Sequence, residues 1–219
     1  MADSAPSTVG ILIFDDVEVL DFCGPFEVFS IARAAGPDGA HDAATPLFRV
    51  LTIAERAATV RCRGDLLVQP HHTIADHPPL EILLVPGGRG TRRERTNPVL
   101  LDWIGEQDRR VSLTTSVCTG AFLLAAQGLL DGRRATTHWG GIAWLREHHP
   151  AIDVRDDVRI VDEGRIVTSA GVSAGIDMAL HLVARLHGPA VAEETARQME
   201  YDGGWQAAGV GSRESGVGT

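Results

Sequence analysis

The chain has 219 residues, 44% hydrophobic and 22% charged, the make-up of one well-cored globular domain rather than of a disordered or collagen-like chain. Twenty basic residues against twenty-nine acidic ones leave a net charge of −9, which excludes a broad basic surface for nucleic acid. No apolar run reaches the ~20 residues of a membrane span, and three widely spaced cysteines, Cys23, Cys62 and Cys118, do not make a disulfide framework.

Residues 1–8 read as a flexible leader, polar and without the basic and apolar regions of a signal peptide, so a cytoplasmic location is the expectation. Val9 to Phe14 predicts a buried strand, and Pro25 opens a helix over Phe26 to Ala35. Phe48 to Ile53 predicts the next strand. Thr59 to Arg63 and Asp65 to Val68, joined through Gly64, predict a hairpin on the sheet edge. Glu81 to Val85 is another apolar run, stopped by Pro86-Gly87-Gly88, and Pro98 to Asp108 has helical spacing with Pro98 in the first turn. Val111 to Thr115 predicts a strand, Thr119 to Ala126 a helix closed by Gly128, and Trp139 to His148 a further amphipathic segment. Val158 to Val161 and Ile166 to Thr168 predict a second hairpin through Glu163-Gly164. The helices Val172 to Leu186 and Ala190 to Tyr201 follow, divided by Gly188-Pro189. Residues 9–201 thus form a single domain, and residues 202–219, rich in Gly and Ser, a mobile C-terminal tail.

Strands alternating with helices, several of them apolar throughout, imply an α/β fold with a mostly parallel sheet covered on both faces. Reactive groups in such sheets gather beyond the carboxyl ends of the strands. Two loops fall there: Pro86-Gly87-Gly88 and Ser116-Val117-Cys118-Thr119-Gly120.

Cys118 stands where a β-rich run passes into a small-residue helix, with Gly120 two residues on. This is the thiol counterpart of a nucleophile elbow, and a helix N-terminus there would lower the thiol pKa below ~8.5. The same segment also fits an inert buried cysteine. Gly87 and Gly88 leave the approach to a neighbouring strand end open. The amides of Gly88 and Thr119 would then form an oxyanion-hole-like pair. Glu18 or Asp21, after the first strand, would set a carboxyl group beside the thiol, although Asp21 before Gly24-Pro25 also fits a helix cap. His71, His72 and His77 lack the i, i+4 geometry of a helical metal site, so no metal is expected. Arg89, Arg92, Arg93 and Arg95 read as a solvated loop. Asp177 and His181, at i, i+4, read as a surface or supporting pair rather than a dyad.

Taken together, Pro86-Gly87-Gly88, Ser116-Val117-Cys118-Thr119-Gly120, Ala135-Thr136-Thr137-His138-Trp139 and Ala174-Gly175-Ile176-Asp177 resemble the ThiJ/PfpI superfamily, from about Val9 to Tyr201. The resemblance implies a flavodoxin-like three-layer sandwich related to class I glutamine amidotransferases. Leu20-Asp21-Phe22-Cys23-Gly24-Pro25, Thr115 to Gly120, Thr136 to Trp139 and Glu200-Tyr201 are most similar to its isocyanide hydratase branch. That branch implies Cys118 as nucleophile and Asp21 as acid and base, with Thr119 beside the thiol and Gly88, next to Gly87, in the opposing loop. The reaction implied is hydration of an isocyanide to an N-substituted formamide through a covalent thioimidate. It requires no cofactor, takes a small-molecule substrate, and is carried out by a homodimer with no nucleic-acid or membrane partner. His138, Glu18 and Cys23 would stand around the reacting pair. Cys23 and the turn Ser169-Ala170-Gly171-Val172 depart from the branch pattern and leave the substrate open. A stand-alone ligand or redox sensor, and a glyoxalase- or amidase-type enzyme of the superfamily, are the alternative readings.

Overall fold

Burial on both faces puts two strands at the centre of one sheet: every residue of the apolar Ile82–Val85 and of Leu113–Val117 is buried, Thr114, Thr115 and Ser116 included. The computed structural model describes residues 5–35, 41–203, 205–207 and 210–212. Within them eight strands make the main sheet. Their order is Val210–Ser212, Ile160–Asp162, Ile166–Ser169, Leu113–Val117, Ile82–Val85, Ser7–Leu12, Phe48–Ala54 and His72–Thr73. All neighbours run parallel except Ile160–Asp162 and Ile166–Ser169, the hairpin turned at Glu163-Gly164. Helices Val19–Ile31, Ala174–His187 and Pro189–Gln198 pack on one another as one outer layer, while Pro98–Asp108 packs with Ala121–Ala126 in the other. This is the flavodoxin-like α/β sandwich expected. No helix among the described residues is long and apolar enough to cross a membrane.

Ser7–Leu12 lies between Phe48–Ala54, which follows it, and Ile82–Val85, which is reached only after the edge strand His72–Thr73. The sheet therefore grows first to one side of the opening strand and then to the other. The chain leaving Ser7–Leu12 enters the layer of Val19–Ile31 and the chain leaving Ile82–Val85 the opposite layer, the two loops being bridged at Val17 and Gly88. The candidate site lies at this switch point.

Three local expectations change. The helix expected to open at Pro25 begins at Val19, with Pro25 inside it. Pro25 costs one backbone hydrogen bond there, which an otherwise buried and tightly packed helix absorbs. The hairpin through Gly64 does not join the main sheet. Val60–Arg61 and Leu67–Val68 form their own ribbon, tied to the loop after the first strand by Asp16 N–H to the Arg61 carbonyl, 2.8 Å. Past Tyr201, in the segment expected to be mobile, Trp205–Ala207 forms a 3-10 turn, and Val210–Ser212 pairs with Ile160–Asp162. The remaining tail residues, 204, 208, 209 and 213–219, and residues 1–4 of the expected leader lie outside the described residues.

Asp177 and His181 do not pair. Asp177 is fully buried, taking Arg159 Nη2 at 2.6 Å and the Tyr201 hydroxyl at 2.7 Å, while His181 Nε2 lies 2.8 Å from Asp162. Asp177 thus ties the helix Ala174–His187 to the chain on either side. The arginine loop is not simply solvated either. Arg93 bonds Glu94 and the Asp15 carbonyl, and Arg95 lies 4.3 Å over the Trp144 ring.

Candidate active site

Leu113–Val117 delivers Cys118 to the carboxyl edge of the sheet and turns it there. Cys118 has φ +57°, the left-handed region that side-chain-bearing residues rarely enter, so the elbow is strained. Three contacts hold it. The Cys118 N–H reaches the Ala170 carbonyl at 3.2 Å, the Thr137 hydroxyl donates to the Cys118 carbonyl at 2.7 Å, and Gly120 passes close to the end of the neighbouring strand Ile82–Val85. A Cβ on Gly120 would lie 2.0 Å from the Val85 carbonyl oxygen. Only glycine fits this close approach, which gives the Cys-Thr-Gly run its physical reason.

The early start of the helix Val19–Ile31 places Asp21 in its first turn, wholly buried, instead of at its cap. Asp21 Oδ2 accepts the Gly87 N–H at 2.9 Å, and the Gly87 carbonyl accepts the Glu18 N–H at 3.0 Å. The Pro86–Gly88 loop and the helix start are thereby clamped to each other. The Cys118 thiol and the Val172 N–H also hydrogen-bond toward the carboxyl, while Oδ1 is buried without a bond of ordinary geometry. Gly87 fits for the same reason as Gly120: a Cβ there would lie 2.5 Å from the Thr119 nitrogen and 2.9 Å from Asp21 Oδ2.

Burial pushes the Asp21 pKa up to about 7, its bonds from Gly87 and Cys118 hold it back, and the charge of Glu18 adds to the rise. Burial also pushes the Cys118 thiol up to about 12, with the Asp21 charge second, against the pull of the Thr119 N–H and hydroxyl. The expected lowering of the thiol does not occur. The segment at the elbow is a 3-10 turn, Cys118–Gly120, and the α-helix after it has only six residues, Ala121–Ala126. Its dipole is weak against desolvation and a neighbouring carboxylate. Near neutrality the pair therefore holds the thiol proton together with a carboxyl close to half protonation, an arrangement suited to passing a proton between sulfur, oxygen and a bound molecule.

The amides expected to form an anion-binding pair have partners already. The Gly88 N–H goes to Thr119 Oγ1 at 3.1 Å, and the Thr119 N–H to the Cys118 sulfur. Thr91 completes this network, its hydroxyl donating to the Gly88 carbonyl at 2.8 Å and lying 3.0 Å from Thr119 Oγ1. Of the surrounding residues, Glu18 is brought to the pair, half-buried and in an ion pair with Arg63. His138 follows Thr137, whose hydroxyl holds the Cys118 carbonyl; its Nδ1 accepts the Gly140 N–H at 3.1 Å as a cap for Trp139–Gly141, and its ring lies against Gly171. Cys23 turns away, since two helical steps rotate it by ~200° from Asp21, and its charge bears on Cys62.

Four residues of the site carried no role in the sequence reading: Thr91, Thr137, Val172 and Arg63. Val172 is a β-branched residue at φ +54°, set in the turn that already departs from the branch pattern. Among the described residues no three His, Cys, Asp or Glu side chains gather as a metal site. His71, His72 and His77 each have separate partners: Thr52, Asp76 and Trp103.

Residues 7–185 match the DJ-1/PfpI family. The isonitrile hydratase of Pseudomonas putida is 36% identical over 193 residues, which are 88% of this chain and 78% of that protein. The HTH-type transcriptional regulator CdhR of Pseudomonas aeruginosa is 40% identical over 118 residues, 54% of this chain but only 34% of the regulator. Among solved structures, a ThiJ/PfpI family protein from Pseudomonas syringae superposes with a TM-score of 0.79 at 28% identity, covering 90% of this chain and 76% of that one.

Proposed function

The chain belongs to the DJ-1/PfpI family, and from that premise we propose that it hydrates an isocyanide to an N-substituted formamide, with Cys118 as nucleophile and Asp21 as its proton carrier. The observation that carries the reading is the buried Asp21 carboxyl, at a pKa of about 7, facing the Cys118 thiol. Similarity to the P. putida isonitrile hydratase over 88% of the chain supports it.

The terminal carbon of an isocyanide carries a lone pair and accepts a nucleophile, and sulfur suits it. Asp21 takes the thiol proton as sulfur bonds to that carbon, then gives the proton to the same carbon. The S–H bond has thus added across carbon and left an S-linked thioimidate. Water next adds to the C=N bond, one of its protons passing by way of Asp21 to nitrogen. The hydroxyl oxygen then becomes the carbonyl of the formamide as the C–S bond breaks, and the departing sulfur takes up the proton that the hydroxyl gives up. Formamide leaves, and thiol and carboxyl are as they began. A carboxyl with a pKa near the working pH serves both directions of this transfer.

The glyoxalase-type alternative calls for a Cys-His arrangement as well as a carboxylate next to sulfur, and the use of His138 Nδ1 by the Gly140 N–H weighs against its Cys-His half. The same reading makes the protein a homodimer acting on a small molecule. Sedimentation equilibrium checks the oligomeric state. Turnover of p-nitrophenyl isocyanide, followed as formamide, is the test of function. Wild type converts it, and Cys118→Ala and Asp21→Asn do not. A folded, reduced wild type without turnover sinks the hydratase reading in favour of a sensor or glyoxalase role.

A further inference from the structure

The short ribbon that left the main sheet ends beside the acid pair. Three bonds fasten it to the loop after the first strand: Asp16 N–H to the Arg61 carbonyl at 2.8 Å, Arg61 N–H to Asp15 Oδ1 at 2.8 Å, and Arg63 N–H to the Val17 carbonyl at 2.9 Å. Gly64, at φ +74°, turns the chain directly after Arg63. The Arg63 guanidinium meets the Glu18 carboxylate in an ion pair. Its other side lines a cavity of about 290 Å³ bounded by Asp16, Cys62, Gly64, Asp65 and Arg89. Glu18 is itself fixed at the start of the Asp21 helix, where its N–H is held by the Gly87 carbonyl.

We infer that Arg63 is a positioning residue for the Asp21–Cys118 pair: it holds Glu18 in place and offsets the charge that Glu18 would otherwise impose on the two acids. The inference rests on Asp21 and Cys118 being the reacting pair. The charged groups that bear on the pair are few. Glu18 comes from the same helix, Arg63 from the ribbon, and each acid acts on the other. The Pro86–Gly88 loop and the turn holding Val172 offer only backbone N–H groups, and Thr119 its N–H and hydroxyl.

With Arg63 in place, the Glu18 carboxylate beside Asp21 is paired with a cation whose charge also reaches Asp21 and Cys118. Without it, the Glu18 carboxylate stands alone beside two groups that must carry negative charge in turn. Each then ionises with more difficulty, and the thiol is less reactive at a given pH. An arginine suits the task because its planar fork fixes the carboxylate as well as neutralising it.

The test is the pH profile of Cys118 alkylation by iodoacetamide, read on the Cys118 peptide by mass spectrometry so that Cys23 and Cys62 do not contribute. Arg63→Gln lowers the rate at pH 8 by about 3- to 10-fold and moves the profile to higher pH, the size of a screened single-charge effect. Arg63→Lys restores most of the rate. The double variant Glu18→Gln with Arg63→Gln recovers as well, since the unbalanced carboxylate is gone. A profile for Arg63→Gln that overlays wild type overturns the inference. So does an Arg63→Lys variant as slow as Arg63→Gln, or a double variant that stays slow. Alkylation needs no isocyanide, so a wild type that alkylates as described but shows no turnover removes the hydratase reading and leaves the role of Arg63 standing.

Discussion

Replacing Asp21 by asparagine isolates the cost of keeping a carboxyl group buried beside a thiol. Folding moves this group from 3.8 to about 7, which is worth about 4 kcal/mol as an upper bound. The folded state binds the Asp21 proton more tightly than the unfolded chain does. The stabilisation from that proton is complete below pH ~4 and is lost as pH rises toward 7. The asparagine side chain does not titrate, and its carbonyl still accepts the Gly87 N–H. The variant therefore gains on wild type by about 2–4 kcal/mol between pH 4 and pH 8, whatever its offset at either pH. The Cys118 thiol, pushed up to about 12, stays protonated across this window and does not blur the comparison. Urea denaturation of both proteins at the two pH values measures the difference. A stability gap that is constant within about 1 kcal/mol would refute the reasoning, because Asp21 would then ionise like a surface carboxylate.

The elbow gives a second expectation. With φ +57° at position 118, Cys118→Gly melts higher than Cys118→Ala by the equivalent of about 1 kcal/mol, the reverse of the usual order, and both are inactive. Gly87→Ala pushes a methyl group against the Thr119 nitrogen and Asp21, costing about 1–3 kcal/mol in denaturant and abolishing activity. Tyr201→Phe leaves Asp177 with Arg159 alone and costs about 1–3 kcal/mol without changing the alkylation rate of Cys118.

What was legible in the sequence was what rests on periodicity and turn chemistry. Pro98 to Asp108 is a helix over that span, capped by Asn97, whose side chain takes the Val99 N–H. The apolar run at 82–85 is a central strand buried on both faces, and 113–117 is one as well although it holds three polar residues, the Thr114 and Thr115 hydroxyls bonding Asp108 and the Leu83 carbonyl. The pairing of Cys118 with Asp21 was legible through motif rather than through pattern. From spacing alone Asp21 fits a cap as well as a buried acid, and Pro25 points to a helix start several residues from where packing puts it. Gly24 and Gly175 decide that point. A Cβ on Gly24 would press on Ile176, and one on Gly175 on Val117 and Pro25, so the two helices cross closely enough to bury Asp21 and Phe22 in the first turn. Such long-range contacts leave no local signature. The thiol misled for a related reason. A cysteine before a helix suggests a lowered pKa, but how deeply it is buried, and which carboxylate faces it, depend on elements about a hundred residues apart in the chain. Arg63 was hidden in a hairpin that reads as an edge.

The central claim is that Cys118 sulfur bonds to the substrate carbon with Asp21 moving the proton. The direct measurement is the mass of the Cys118 peptide after p-nitrophenyl isocyanide is mixed with the protein and quenched within the first turnover. The account predicts a gain of one substrate mass on Cys118 in wild type and none on Cys23 or Cys62. Formamide appearing while the Cys118 peptide stays unmodified throughout, or persisting in Cys118→Ala, would contradict it.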